Sequence, residues 1–320
     1  MILYLKSLVS YWKMSFLTSP KSFDIIKALL FKNTSEKKLA KPWIKRSSDR
    51  PYWFSRSRFA ILSIAKWLEA NNRGKPILIW VPDYFCNQTL DLLRIDNFSI
   101  HFYPINNDLK PNWSICEQEA IENKPDIFIL VHFFGFESEI IDSRKFCDKY
   151  ASVLVEDAAH VLVPTKLIGT ISDFVLYSQY KFFPIPDGAL MIQREPPKSS
   201  FLKKKKQPVE VMEIIRSEFS KEVNHQFQWI VKKMILKLFP DLNWVRKKSK
   251  VLHQSNQEPA FQSIISKNLL SIYMQNLSQI IKLRKDFGKT FNSIASCNNY
   301  QTLYDESSIP YLIGIKYSSN

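Results

Sequence analysis

Three short stretches of this sequence end in side chains that can do chemistry. "LVEDAAH" carries Glu156, Asp157 and His160, "YSQYK" carries Ser178 and Lys181, and "VHFFG" carries His132 and Gly135. Lys181 is a single charge held among aromatic residues and followed by a Pro-Ile-Pro-Asp-Gly turn. An amine in such surroundings is either a snorkelling surface group or a nucleophile whose proton affinity burial has lowered. Taken singly, each group has an ordinary reading: Asp157 as a helix N-cap, Lys181 as a surface amine, His132 as a core histidine. Taken together, an acid, a hydroxyl and an amine at successive strand ends can converge on one crevice, because open α/β sheets bind ligands beyond the carboxyl ends of their strands.

The elements that would position these groups follow from periodicity. "SRFAILSIAKWLEA" places Ala60, Ile61, Ile64, Ala65 and Leu68 at helical spacing, and "NQTLDLLRI" (87–95), "WSICEQEAIEN" and "DSRKFCDKYA" read as further helices. Between them, "ILIWVP" (77–82), "SIHFYPI", "DIFILVHFFG" (126–135), "SVLVEDAAH" (152–160), "FVLYS" (174–178) and "ALMI" (189–192) read as strands. Their apolar runs lack alternation, which predicts strands buried on both faces: an α/β fold with a mostly parallel central sheet flanked by helices. Beyond residue 195 the sequence is long, basic and helical, and "IPYLIGIKY" (309–317), three residues before Asn320, predicts a strand that either pairs with the main body or opens a small C-terminal sheet cut short by the chain end. The expected division is an N-terminal helical extension (1–50), a large α/β domain (51–200), and a helical segment with the start of a small C-terminal α/β domain (201–320).

The strand-end groups match the needs of pyridoxal phosphate. That cofactor takes a lysine amine for its Schiff base and a carboxylate that keeps the pyridine nitrogen protonated, so that the ring acts as an electron sink. Hydroxyls or backbone amides hold its phosphate. Lys181 and Asp157, each after its own strand, supply the first two.

At these residues the sequence resembles the DegT/DnrJ-type sugar aminotransferases, whose fold is shared with aspartate aminotransferase. "SRSRFAI" resembles the family's turn before its first helix, "VPDYFCNQTL" its Pro-x-Tyr segment, "ILVHFFG" its His-x-x-Gly strand end, "LVEDAAH" its Glu-Asp-Ala-Ala-Gln/His motif, and "YSQYKFFPIPDGALM" its Ser...Lys...Gly-Gly segment. "IIKLRKDFGKTFN" and "IPYLIGIKY" resemble the helix and strand that open its C-terminal domain. The resemblance implies a PLP-dependent transferase fold, with Lys181 as the Schiff-base lysine and proton shuttle and Asp157 at the pyridinium nitrogen. His160 would lie near the cofactor's phenolic oxygen. Ser178 would bind the phosphate, helped by backbone amides from Ser57 at a helix N-terminus that favours an anion; beyond the family's pattern, Arg56 or Arg58 would add charge there. The family's ring-stacking aromatic aligns with Cys86, beside Phe85 and Tyr84, and its Gly-Gly is Gly188-Ala189 here. The implied activity is transfer of an amino group, from glutamate, onto a nucleotide-linked keto sugar for surface polysaccharide such as O-antigen, by a homodimer. Two alternatives stand beside it: a PLP-dependent sugar dehydratase, against which the retained Lys181 speaks, and a catalytically degenerate homologue that serves as a binding or scaffold protein.

Composition bounds these readings. The net charge of +15 (45 basic, 30 acidic) is concentrated in "KKKK" (203–206), "VKKMILK" (231–237) and "VRKKSK" (245–250). This reads as a solvated face, compatible with a nucleotide diphosphate substrate and without the signature of a nucleic-acid-binding fold. Cys86, Cys116, Cys147 and Cys297 form no CxxC pair, so neither a metal site nor a disulfide frame is expected, and the cytoplasm is the expected compartment. No apolar run is long enough to span a bilayer. "MILYLKSLVSYWKMSFL" predicts an amphipathic helix that packs on the body of the protein or makes weak peripheral contact with a membrane.

Overall fold

In the computed structural model, residues 20–30, 35–194, 208–219, 259–298 and 300–316 are described. The N-terminal segment 1–17 and the three basic runs therefore lie outside the described residues. Helices α1 (Ser22–Leu30) and α2 (Glu36–Leu39) lead into strand β1 (Arg50–Phe54). Strands and helices then alternate: α3 (Ser57–Asn71), β2 (Leu78–Pro82), α4 (Asn87–Ile95), β3 (Ser99–Tyr103), α5 (Trp113–Glu119), β4 (Ile127–Val131), α6 (Ile140–Tyr150), β5 (Val153–Ala158), β6 (Phe174–Tyr177) and β7 (Ala189–Gln193). Helices α7 (Val211–Glu218), α8 (Ile264–Met274) and α9 (Leu277–Cys297) follow, then a hairpin of β8 (Gln301–Leu303) and β9 (Gly314–Lys316). No helix among the described residues is long and apolar enough to cross a membrane.

Seven strands form one sheet in the order β1-β7-β6-β5-β4-β2-β3. Strands β2 to β6 run parallel, whereas β7 is antiparallel to both β6 and β1. The expected mostly parallel sheet is thus present, with one addition that periodicity did not reveal. "RPYWF" forms edge strand β1, although it begins with Arg-Pro and its partner lies some 140 positions away in sequence.

Register is what makes the site. Val131 pairs with Asp157, Asp157 with Leu176, and Ala158 with Tyr177, so the carboxyl ends of β4, β5 and β6 finish level. Because β7 returns antiparallel and β1 pairs with it (Phe54 opposite Ala189), the end of β1 and the start of α3 arrive at that same edge. Side chains alternate between faces along a strand. On β5, Leu154 and Ala158 join the core that contains Trp43, Trp80 and Phe128, while Val153 and Val155 join the core beneath α3. The adjacent acids Glu156 and Asp157 therefore point to opposite faces and have different partners.

The expected strand over 309–317 is shorter than the sequence suggests. Among the described residues of that stretch, Gly314–Lys316 is the strand, paired with β8, and residues 309–311 instead cross the edge of the sheet. This hairpin packs on α9 at Gly288, where a Cβ would meet the Tyr304 ring at 2.7 Å.

A buried ion pair ties the N-terminal segment to the sheet. Arg194 Nη1 donates to both oxygens of Asp49 at 2.8 and 2.9 Å, and Asp49 Oδ2 also accepts from the backbone N–H groups of Lys45 and Arg46. Removing one member leaves the other charged and desolvated, at a cost of roughly 3–5 kcal/mol. Asp49→Ala should lower stability by that amount in urea unfolding, and an apolar replacement of both members should recover most of the loss.

Candidate active site

The chain leaves β6 at Ser178 and makes a short 3-10 turn, Gln179–Lys181, before Pro184–Gly188 brings it back into β7. That turn is held from both sides. On the β1 side the Arg56 guanidinium lies 4.4 Å over the Tyr180 ring and donates to the carbonyls of Pro186 (3.2 Å) and Ser55 (3.1 Å). On the α8 side Asp187 Oδ1 accepts from Ser263 N–H at 2.8 Å, and Asp187 N–H donates to Ser266 Oγ at 3.3 Å. Gly188 closes the loop by donating to the Ser55 carbonyl and accepting from Tyr180 N–H.

Lys181 thus projects from a rigid turn into a half-buried position. Burial pushes its amine below the ordinary value, while Asp157, and after it Cys86, pull it back toward the charged form. Asp157 is itself buried, and burial raises its carboxyl above the ordinary range. Lys181 is the first group that opposes that rise, followed by the Ala159 N–H, which donates to Oδ1 at 2.9 Å, and by His132. The two groups are electrostatically coupled across neighbouring strand ends, each moved toward its neutral form by desolvation and held by the other's charge.

His160 joins them. Its ring is sandwiched between Tyr311 (centroids 4.6 Å apart, planes at 7°) and Phe134 (6.3 Å, 2°). Nδ1 accepts from Phe134 N–H at 3.3 Å, which assigns the ring proton to Nε2. Burial, reinforced by the Lys181 charge, depresses its pKa to about 3, so the ring is neutral at ordinary pH. Phe134 adopts a left-handed backbone (φ 58°), and Gly135 follows at φ +92°, where a Cβ would stand 2.7 Å from the His160 carbonyl oxygen. Gly135 is therefore required by both conformation and close approach.

Three polar side chains near the Lys181 turn are fully buried with polar atoms that have no partner among the described residues: Ser178 Oγ and the amides of Gln179 and Gln262. Gln262 lies against Gly188, where a Cβ would meet its Nε2 at 2.7 Å. Unsatisfied buried groups are costly, so their clustering beside the amine points to a polar ligand that completes them. The adjoining start of α3 suits an anion. Its N-cap residue Arg56 makes no side-chain cap bond there, and helix N-termini favour negative charge. An amine, a buried carboxylate, an orphaned hydroxyl and a helix N-terminus at one edge are the groups pyridoxal phosphate needs, and these residues fit it.

The sequence-derived candidates divide as follows. Asp157, His160 and Cys86 each come within electrostatic reach of Lys181, and Ser178 precedes the lysine turn. Ser57 and Arg58 lie half-buried in the first turn of α3, with the Arg58 guanidinium 5.2 Å over the Phe59 ring. Phe85 packs against the core on the α3 face, whereas its neighbour Cys86 is the one placed by Lys181. His132 belongs beneath the site: Nε2 donates to Glu156 Oε2 at 2.8 Å, Nδ1 accepts from Ser138 N–H, and its backbone N–H donates to the Asp157 carbonyl. Sequence reasoning missed Tyr311 and the anchors Tyr180, Asp187 and Gln262. Tyr311 is further linked through Phe182 (5.3 Å) to Arg284 of α9, whose guanidinium lies 4.9 Å over Phe182. Tyr180, Asp187 and Tyr311 fall inside stretches the sequence singled out, but nothing local tells them from their neighbours.

The seven-stranded sheet, with its antiparallel β7 return and the lysine turn after β6, is a fold shared with solved aminotransferases. Among solved structures, PseC of Helicobacter pylori, an aminotransferase involved in the biosynthesis of pseudoaminic acid, is similar with a TM-score of 0.62 at 16% identity, over 94% of this chain and 76% of PseC. A DegT DnrJ EryC1 StrS aminotransferase from Brucella abortus aligns with a TM-score of 0.58 at 12% identity, over 95% of this chain and 71% of the other. NtdA of Bacillus subtilis, solved with bound cofactor PMP, aligns with a TM-score of 0.62 at 16% identity, over 94% of this chain and 65% of NtdA. No protein-family model and no curated protein matches the sequence.

Two measurements test this geometry. A histidine whose folded pKa lies below its unfolded value contributes stability that is complete above about 6.5 and is lost as pH falls toward about 3. The thermal midpoint should thus fall more steeply with acid over this range in the native chain than in His160→Gln. Gly135→Ala should cost on the order of 2 kcal/mol or more in chemical denaturation, because it imposes both a positive φ and a backbone collision.

Proposed function

We propose that this protein is a PLP-dependent aminotransferase that transfers an amino group, from glutamate, onto a keto sugar carried on a nucleotide. The observation that carries the reading is the coupled pair of buried Asp157 and half-buried Lys181 at one sheet edge, beside the unpartnered hydroxyl of Ser178. The fold shared with PseC, which acts in pseudoaminic acid biosynthesis, supports the sugar class, and the fold shared with NtdA, solved with PMP, supports the cofactor. Glycan biosynthesis, a homodimer and a cytoplasmic setting extend the same reading.

Bound pyridoxal phosphate supplies a carbonyl carbon that amines condense with and a protonated ring that accepts an electron pair. The chain's own residues do the rest. Lys181 Nζ, with its pKa lowered by burial, is more often neutral than a free lysine and so can act as a nucleophile and carry a proton to and from the substrate carbon. Asp157 holds a proton at the ring nitrogen, and its burial keeps water from competing for that hydrogen bond. Ser178 Oγ and the start of α3 hold the phosphate. The neutral His160 ring presents Nε2–H as a donor, steadied on both faces by Phe134 and Tyr311. Arg56 and Asp187 keep the turn from shifting when the amine is released.

Purified protein mixed with pyridoxal phosphate should develop a visible absorbance band that borohydride fixes covalently to Lys181, as located by peptide mass. Lys181→Ala should abolish both signals and reduce amino transfer by about 10³-fold or more. Asp157→Asn should weaken cofactor binding about tenfold while leaving the fold intact. Incubation with glutamate and nucleotide-linked keto sugars should yield the amino sugar, and loss of water from the sugar would identify a dehydratase instead. Cofactor binding with no turnover of any sugar would favour the non-catalytic homologue.

A further inference from the structure

A cavity of about 270 Å³ opens at the carboxyl edge of the sheet, outside the Lys181 site. Asp108, Leu109 and Lys110 reach it from the loop after β3, Val131 from the end of β4, and Phe133 and Glu137 from the loop that follows; residues 302–305 of the C-terminal hairpin close the third side. Chain order reverses at this place. Strand β3 lies outside β2, whereas β4, next in the chain, lies on the opposite side of β2, and the carboxyl ends beside such a reversal are where open α/β sheets take ligands. Leu109 holds a left-handed backbone (φ 65°), which a bulky residue keeps only where its surroundings impose it. None of Asp157, His160, Ser178 and Lys181 lines the cavity. The turn after β4 is a shared wall, with Phe134 packed on His160 and Phe133 lining the cavity.

Its charge selects the kind of occupant. Lys110 is already matched by Asp108 at 3.3 Å and Glu139 at 3.8 Å, and Asp305 by Lys166 at 2.8 Å. Glu137 lines the cavity and forms no ion pair among the described residues; its Oε2 accepts from the Leu167 N–H at 2.9 Å. Four carboxylates thus stand against two ammonium groups in and beside the cavity, a balance that repels a phosphate and attracts a cation. Carboxylates only accept hydrogen bonds, so the occupant must be rich in donors. Leu109, Val131 and Phe133 require an apolar face on it as well. Among the described residues no group of three metal-binding side chains occurs, which makes the cation an organic one.

We propose that this cavity is a binding site for a small polyhydroxylated amine the size of one sugar ring, an amino sugar by chemical class. The ammonium meets Glu137, the hydroxyls donate to the remaining carboxylate oxygens, and the C–H face of the ring lies on Phe133 and Leu109. Pockets that enclose larger organic ligands span roughly 300–1,000 Å³. At about 270 Å³ this one holds a single ring and has no room for a nucleoside diphosphate, which its charge also rejects. The site goes beyond the transamination reading, because it requires neither the cofactor nor Lys181.

The test is calorimetric titration of the full chain with glucosamine, glucose and glucose 6-phosphate, as purified and again after borohydride has fixed pyridoxal phosphate to Lys181. Glucosamine should bind about tenfold or more tightly than glucose, and glucose 6-phosphate should not bind. Fixing the cofactor should leave these affinities unchanged, and the titration of the chain as purified stands whether or not the protein proves to be an aminotransferase. Asp108→Asn combined with Glu137→Gln should bring glucosamine and glucose to about equal affinity with an unchanged thermal midpoint, and Leu303→Trp should abolish binding by filling the cavity. The proposal is overturned if the native chain does not prefer glucosamine to glucose, if glucose 6-phosphate binds as well as glucosamine, or if either variant binds as the native chain does. Loss of glucosamine binding on fixing the cofactor would also overturn it, by assigning the amine to the Lys181 site.

Discussion

The arrangement at the sheet edge depends on a carboxylate and an amine that are both taken out of water within each other's field. Burial alone would neutralise Asp157 and Lys181, and either one charged without the other would be an expensive group to keep. Desolvation draws their proton affinities toward each other, and the charge each places on the other opposes that shift, which keeps the desolvated pair in place. This coupling exists only because β5 and β6 are parallel neighbours in a register that ends them level.

Around that pair the structure spends its rigidity on the lysine turn. Arg56 grips it from the end of β1, and Ser263 and Ser266 at the start of α8 hold it through Asp187, so segments from three distant parts of the chain meet at residues 179–188. Beneath the edge, the fully buried His132–Glu156 pair fixes the loop that carries Phe134 and Gly135, which in turn seat His160. Glu156 and Asp157 show how strand period two assigns neighbouring acids to different work: one steadies the scaffold, the other faces the amine.

The helices and parallel strands from residue 57 to 192 were legible because their period or apolar runs are local properties; the α4 span of 87–95 agrees residue for residue. Strand β1 was not legible, since an edge strand that starts Arg-Pro has no periodic signal and is specified by pairing with β7. The 309–317 stretch looked like one strand because apolar composition cannot distinguish a hydrogen-bonded strand from a segment crossing a sheet edge. In the fold, Tyr311 is taken up by His160 and by a backbone bond from its N–H to the Phe134 carbonyl, leaving only 314–316 to pair.

By itself the sequence determined the order of elements and which chemical groups stand at strand ends, since both depend on residue type and on spacings of a few positions. It thereby named Asp157, His160, Ser178 and Lys181. Only the tertiary structure decided which of these groups share a field, which face each acid takes, and that Tyr311, Arg56 and Asp187 belong with them. Those outcomes depend on strand register and on contacts between segments far apart in sequence, such as Tyr311 with Phe134, where desolvation and pairing are properties of the assembled edge and of no local stretch of chain.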